Sequence, residues 1–410
     1  METIVMTYLN REIAKPLREI LGDFPVVVIA GMRQAGKSTM LLNEPFLGGR
    51  TYVNLDDFAS LLEARESPEE MLGQKGPLTI DEAQRAPDML IAIKKLVDER
   101  KEPGRFLLSG SANFLLMEKI SESLAGRALY LYLRPMNRRE CRGSINKEPF
   151  ISKAFKEGEP QRVREKASPI KDSDVIDGGL PSVCTGQVKQ KERWFAGYEE
   201  TYVERDVRNL ANVGDLISFR RMLRLVANRT GQLLNVSQLA IDAGTSVPTA
   251  RKYLSLLETS FVITMIAPYL SSRTTRLIKT PKVYVTDSGL AAHMVDMHSL
   301  SGDPFRGHLY ETYVAQNLQS ILEAHVPGAR LYFWRVQGRH EVDFVIEAGA
   351  DIIAVEVKSA TRWNPGDLTG LKAFLQAEPK CKAAFLAYNG TEMVKLGDRL
   401  WAVPIDTLLS

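Results

Sequence analysis

Residues 31–38 read Gly-Met-Arg-Gln-Ala-Gly-Lys-Ser, a match to G-x-x-x-x-G-K-[ST] in which each position has a task in holding phosphate. Gly31 and Gly36 permit backbone torsions and a close approach that a Cβ would block. The loop amides, at Arg33, Gln34 and Ala35, and the positive end of a helix starting at Ser38-Thr39 cradle the phosphates. Lys37 is spaced to reach the β- and γ-phosphates and Ser38 to hold Mg²⁺, so ATP with Mg²⁺ is the expected ligand. A second constellation is Asp81-Glu82-Ala-Gln84. Asp81 suits a direct or water-mediated Mg²⁺ contact, and Glu82 suits the base that polarises the attacking water. A helix N-cap is the alternative for this pair. Ser109, in Ser109-Gly-Ser111, suits a γ-phosphate sensor, and Arg127, in Leu124-Ala-Gly-Arg127, suits neutralisation of transition-state charge. A plain loop role is the alternative for both.

A third constellation lies near the end of the chain. In His340–Glu347, period-2 alternation puts Val342, Phe344 and Ile346 on one face and Glu341 and Asp343 on the other; in Asp351–Lys358 it separates Ile353, Val355 and Val357 from Glu356 and Lys358. Gly349-Ala350 between them fits a two-residue hairpin turn. That register sets Asp343 opposite Glu356 and Glu341 opposite Lys358. Facing carboxylates repel unless a cation lies between them. A divalent Mg²⁺ or Mn²⁺ with Lys358 beside it is the constellation for metal-assisted phosphodiester hydrolysis. A hairpin with a merely hydrated polar face is the alternative.

The middle carries residues suited to nucleic acid. Asn235–Glu258 predicts a helix capped by Ser237, a turn at Gly244, and a second helix capped by Ser246 with Pro248 in its first turn. Val247, Ala250, Leu254 and Leu257 form its buried stripe, leaving Thr249, Arg251 and Lys252 to meet DNA in a helix-turn-helix pattern. Phe261–Ala267 and Arg273–Lys282 suit a basic wing carrying Arg273, Arg276, Lys279 and Lys282. Between Asn137 and Lys171, ten basic residues stand against five acidic ones, a flexible insertion able to touch phosphate or a solvated loop.

These groups act only if a scaffold brings them together. Pro25–Ala30 reads as a buried parallel strand running into the phosphate loop, and Gly76–Ile80 as another ending at the acidic pair, where α/β sheets bind ligands. Thr51–Leu55, Arg105–Ser109 and Ala128–Leu133 complete a parallel sheet. Helices are expected at Trp194–Val213, Leu216–Arg229, Leu309–Leu322, which carries Glu311, and Asp367–Gln376, with a further strand at Ala383–Ala387. The 410 residues, 44% hydrophobic and 25% charged, exclude collagenous, low-complexity and disordered classes. A net charge of +3 names no partner. The longest apolar runs fall short of the ~20 residues of a membrane span, and the first fifteen residues lack a leader's continuous apolar stretch. Cys141, Cys184 and Cys381 are scattered, so no disulfide framework or metal knuckle is indicated, and a cytoplasmic setting is expected.

The chain resembles an archaeal and bacterial family that joins an AAA-type P-loop ATPase to a carboxy-terminal domain of unknown function. The resemblance rests on the phosphate loop, Ile80-Asp-Glu-Ala-Gln, Leu108-Ser-Gly-Ser, Leu124-Ala-Gly-Arg, Tyr202-Val-Glu-Arg-Asp206, Pro281-Lys-Val-Tyr, Glu341-Val-Asp-Phe-Val and Glu356-Val-Lys. It implies a winged helix followed by a restriction-endonuclease-like fold of PD-(D/E)XK type, with metal ligands at Asp343 and Glu356, an active-site Lys358 and Glu311 as a fourth member. Serine at position 109 departs from the asparagine or threonine of many such ATPases. The expected organisation is α/β: a parallel-sheet P-loop domain at 1–140, a basic insertion and helical connector at 141–214, a winged helix at 215–300 and a nuclease-like α/β domain at 301–410. ATP, DNA and a second copy of the chain are the expected partners, with no membrane. A nucleotide-dependent switch whose carboxy-terminal half is a non-catalytic protein scaffold is the rival reading.

Overall fold

The computed structural model describes residues 8–111, 124–158, 167–203, 216–270, 279–336 and 339–410. Val26–Gly31 (β1) is buried along its whole length, as a β-branched strand with partners on both faces must be. Thr51–Asn54 (β2), Leu78–Asp81 (β3), Phe106–Ser111 (β4) and Ala128–Tyr132 (β5) join it in a parallel sheet of order β2-β3-β4-β1-β5. Val26, Val28, Ile80 and Leu108 pack on the helices Phe58–Glu66 and Met89–Glu99. Val27, Ile29 and Leu107 pack on the opposite side against Ala14–Asp23 and Lys37–Asn43. Because every strand runs the same way, Gly31, Asp81 and Ser111 end at one edge. Arg127, just before β5, lies at the other.

The middle runs helix Leu216–Ala227, strand Gln232–Leu233 (β6), helices Val236–Ala243 and Val247–Thr259, then Ile263–Ile266 (β7) and Lys282–Val285 (β8). The strands form an antiparallel sheet of order β6-β8-β7. Gly244 takes the left-handed conformation at the turn, and the Ser246 side chain caps the second helix, as the sequence predicts. The first helix differs: its cap is Asn235, whose side chain accepts from Gln238 N at 3.0 Å. Ser237 sits inside the first turn, where it has no cap to make. The helix predicted at Trp194–Val213 is Lys191–Tyr198 followed by a π-turn, Glu199–Val203; positions 204–215 lie outside the described residues.

A six-stranded sheet closes the chain. Its order is β13-β14-β12-β11-β10-β9, from Arg330–Val336 (β9), His340–Ala348 (β10), Asp351–Lys358 (β11), Cys381–Tyr388 (β12), Val394–Gly397 (β13) and Leu400–Pro404 (β14). The helices Arg306–His325 and Thr369–Ala377 cover opposite faces. The β10–β11 hairpin has the predicted register, Ala348 against Asp351 and Phe344 against Val355, with Gly349 at φ 63° in the turn. One face expectation fails. A bulge against β9 between Val342 and Val345 sends Val342 into the core with Val345, away from Phe344 and Ile346.

The basic segment divides: Arg138 and Arg139 are buried inside the fold, which corrects the reading for those two, while Arg142, Lys147, Lys153, Lys156 and Lys171 are exposed as a solvated segment would be. Asn137 and Glu140 form a reciprocal capping box. Arg138 pairs with Asp174 and Asp406 at 2.8 Å each, Arg142 with Asp406 at 2.7 Å, and Arg139 with Glu12. These pairs tie the start of the chain to its end. Arg162, Arg164 and Lys166 lie outside the described residues. Cys141 and Cys184, far apart in sequence, are neighbours: a hydrogen bond between them, then burial, holds the Cys184 thiol well above its ordinary range. Among the described residues no helix is long and apolar enough to cross a membrane.

Candidate functional site

Two clusters of chemically competent residues emerge, one at the carboxyl edge of the parallel sheet and one where β8 meets β10. At the first, Gln34 (φ 61°) and Gly36 (φ 94°) adopt left-handed backbone, the kind of torsion from which anion-binding nests of successive amides are built. A Cβ on Gly31 would meet Leu133 O at 2.2 Å, so only glycine lets the loop leave β1 against the end of β5. The helix begins at Lys37, one residue ahead of the expected start. Lys37 is buried, and its ammonium donates to Gly31 O at 2.9 Å and Met32 O at 3.0 Å. Ser38 is half-buried in the first turn.

Asp81 is fully buried and accepts from Tyr52 Oη at 2.8 Å, from the Ser109 hydroxyl and from Glu82 N. The Ser109 hydroxyl is therefore spent on Asp81. Glu82 follows at φ 56°, a left-handed conformation costing a non-glycine residue roughly 1–2 kcal/mol. That turn directs its carboxylate off the strand, where Gln84 donates to it. Neither acid caps a following α-helix; the succeeding Ala83–Arg85 turn has no side-chain cap bond. The donor set fits Mg²⁺ with a nucleotide: a hydroxyl at a helix start and a dry carboxylate on a neighbouring strand end.

Arg127 departs from expectation. It pairs with Asp98 at the amino-terminal edge of the sheet, a full strand's length from the phosphate loop of its own chain. One cation that sequence reasoning missed touches the loop instead. Arg11 donates to Ala35 O at 2.7 Å and Arg134 O at 2.6 Å, and lies 3.1 Å from Glu140. Nothing in its local sequence marks it, since its partners are spread along the chain. The loop also touches the middle of the protein. Met32 and Ala35 are buried in one core with Leu180, Tyr198 and Phe219, and Tyr198 Oη donates to Arg33 O at 3.2 Å.

The second cluster gathers Glu311, Asp343, Glu356 and Lys358, as expected, and adds Lys282, Tyr284 and Glu341. Lys282 was expected on an exposed wing; it is buried, with Nζ 2.7 Å from Glu341, 3.0 Å from Glu311 and 3.4 Å from Asp343. Lys358 pairs with Glu356 at 2.7 Å, so the predicted Glu341–Lys358 pair does not form. Val357 N donates to Asp343 Oδ2 at 2.9 Å and Asp343 N to Glu356 Oε2 at 3.3 Å, locking the acids across the hairpin. Tyr284 donates to Glu311. Burial works against the Lys282 charge, but Glu311, Asp343 and Glu341 outweigh it and hold the ammonium above its usual range. Burial and then the Asp343 charge push Glu311 up to about 7 and Glu356 up to about 8. Among the described residues no group of three or more His, Cys, Asp or Glu side chains is arranged to hold a metal ion. The residues present do not fit a divalent metal here, because an ammonium stands among the oxygens.

These carboxylates set a pH response. Unfolded, each titrates near 4.5; folded, near 7 and 8, so the folded state keeps protons that the unfolded chain releases. Buried Asp287, raised to about 6, acts in the same sense. Stability from the two glutamates is complete below pH 4.5 and is lost as pH rises through about 7 and about 8; that from Asp287 is complete below 3.8 and lost through about 6. Denaturant midpoints should therefore fall between about pH 5 and about pH 9, with a flatter slope in Glu356→Gln. A slope unchanged by that substitution would contradict the assignment.

Arg251 and Lys252 are exposed on the Val247–Thr259 helix, whose buried face adds Tyr253 and Leu256 to the predicted stripe. Thr249 is half-buried, its hydroxyl 2.8 Å from that of Ser246. Arg273 and Arg276 lie outside the described residues.

Comparison with known proteins finds three matched segments. Residues 23–142 match an AAA domain, and residues 173–301 and 306–408 match two domains of unknown function. An uncharacterized protein of Mycobacterium tuberculosis is 30% identical over 408 residues, covering 98% of this chain and 85% of that protein. One from Haemophilus influenzae is 23% identical and covers 82% of each. Among solved structures, the Walker-type ATPase of Pyrococcus abyssi is similar at a TM-score of 0.43 and 16% identity, over 70% of this chain and 96% of that one.

Proposed function

The chain belongs to the family of its mycobacterial relatives, with an AAA domain at its amino-terminal end, and on that premise we propose a Mg²⁺-dependent ATPase that relays its nucleotide state to a DNA-binding, nuclease-like carboxy-terminal half. In this reading residues 1–140 bind and hydrolyse ATP and 141–214 connect. Residues 215–300 form a winged helix that meets DNA through Thr249, Arg251, Lys252 and the segment bearing Arg273 and Arg276. Residues 301–410 form a PD-(D/E)XK-like domain with Asp343, Glu356, Lys358 and Glu311 at its centre.

The observation that carries the relay is the placement of the phosphate loop. Lys37 neutralises two carbonyls of its own loop, and an arriving β/γ-phosphate competes for that ammonium. Amides of residues 33–39 take the phosphate oxygens at the helix start. Ser38 and Asp81 would hold Mg²⁺, which would supply neutralisation of the phosphate charge. Tyr52 and Ser109 hold Asp81 in one orientation, and Glu82 orients the attacking water. Any shift of the loop then passes to Tyr198 through Arg33 O and into the shared core through Met32 and Ala35. In this reading Arg127, which lies at the edge away from its own phosphate loop and pairs with Asp98, would reach nucleotide only in a second copy of a homo-oligomer.

Trp194 stacks on Tyr198 with ring centroids 5.5 Å apart and reports on this contact. Saturating ATP should change tryptophan emission in the intact protein, and the change should vanish in Trp194→Phe and in Lys37→Ala. An ATP-induced change that persists in Trp194→Phe, or none at saturation, would remove the relay. The lysine buried among the carboxylates favours a second reading, in which the carboxy-terminal half is a scaffold without catalysis. DNA binding separates the two, since phosphate contacts weaken steeply with salt. Absence of binding at low salt, with and without ATP, selects the scaffold.

A further inference from the structure

The carboxylates of the six-stranded sheet already enclose a cation. Lys282 is 3% exposed, and its Nζ reaches oxygens of Glu311, Glu341 and Asp343 at 3.0, 2.7 and 3.4 Å, with the Phe333 ring centroid 5.7 Å away. These are ammonium–oxygen distances. Mg²⁺ requires oxygens at about 2.0–2.1 Å in near-octahedral array. An ion drawn to Glu311 and Asp343 would lie against the ammonium, and two cations cannot share one desolvated position.

The lysine comes from a different sheet from two of its partners. Lys282 opens β8, the central strand of the β6-β8-β7 sheet, where its backbone is paired with Leu233 on one side and Ile266 on the other. Asp343 and Glu341 belong to β10, and Glu311 to the Arg306–His325 helix. Two residues along β8, Tyr284 binds Glu311 as well, so one strand delivers both an ammonium and a phenol to the same carboxylate. Pairing on both edges prevents Lys282 from withdrawing by local fraying.

We propose that Lys282 is a tethered cation that fills the metal position of the carboxylate cluster and excludes divalent metal from Glu311 and Asp343 while β8 stays in its sheet. This rests on reading Asp343, Glu356 and Lys358 as a nuclease-like centre, and adds how that centre is held shut.

The test is Mn²⁺ binding to the full chain without nucleotide, followed by the EPR signal of free Mn²⁺. Wild-type protein should show no Asp343-dependent Mn²⁺, and Lys282→Arg should match it. Lys282→Met should gain one Mn²⁺ site at least 100-fold tighter than any in the wild type, lost again in Lys282→Met/Asp343→Asn. Its melting temperature should rise with Mn²⁺ while that of the wild type stays fixed. Asp343-dependent Mn²⁺ binding by the wild type overturns the proposal, as does a folded Lys282→Met that gains none. Should Lys282→Met not fold, the wild type and Lys282→Arg decide by the same criterion. Nicking of supercoiled DNA separates this from the nuclease reading. Mn²⁺ gained without nicking keeps the tethered cation and removes the nuclease; equal nicking by wild type and variant does the reverse.

Discussion

Lys37→Ala should lower ATP turnover by about 10²–10³-fold, the loss typical of removing one preorganised charge-stabilising donor. The lysine is buried and fixed on Gly31 O and Met32 O before nucleotide arrives, so little side-chain freedom is lost when it engages phosphate. Alanine removes that charge from a low-dielectric pocket, where water replaces it poorly. Phosphate release measured beside nucleotide binding distinguishes its role from that of Glu82. Glu82→Gln should retain ATP and lose turnover; Lys37→Ala should lose both. A Lys37→Ala protein hydrolysing ATP within threefold of the wild type would refute the assignment.

The second large effect concerns stability. Arg139→Met should cost about 3–5 kcal/mol, the usual penalty for stripping one partner from a buried ion pair. Arg139 and Glu12 side chains are 2% and 1% exposed. Glu12 also receives Asn137 Nδ2 and His325 Nε2 at 3.2 Å each, and Asn137 goes on to Ser320 at 3.1 Å. Without the guanidinium a desolvated carboxylate remains between the first turn of the chain and the long helix. Denaturant unfolding of Arg139→Met, Glu12→Gln and the double variant gives the coupling, which should make the double loss smaller than the sum. A loss under 1 kcal/mol would show the network to be ornamental. Arg139→Lys should recover only part, because the guanidinium also donates to Lys147 O, a two-armed contact that an ammonium does not reproduce.

Features legible beforehand were those whose partners are close in sequence. The phosphate loop is a fixed spacing between a β-branched strand and a helix, and the β10–β11 register follows from alternation plus a Gly-first turn. Both are local, and both carry their geometry with them. Lys282 failed as a wing residue because its three acids arrive from the long helix and β10; composition alone made it look solvated. Arg138 and Arg139 misled for the same reason, since Glu12, Asp174 and Asp406 are distant along the chain. The bulge at Val342/Val345 leaves no mark on alternation until the β9 partner is known. Arg127 could be judged only from the direction of β5.

The burial of Met32 and Ala35 with side chains as distant as Phe385 and Leu408 bears on how the protein melts. Side chains sharing one interior lose their contacts together, and units of local unfolding follow such shared interiors rather than strand order. The phosphate loop is therefore expected to lose its packing together with the carboxy-terminal side chains it shares this interior with. Calorimetry should see the two regions unfold in one transition, and nucleotide binding should raise its midpoint for both. A fragment ending at residue 140 would expose Met32 and Ala35 and strand Glu12 without His325. Thermal protection by ATP thus extends to residues that never approach it.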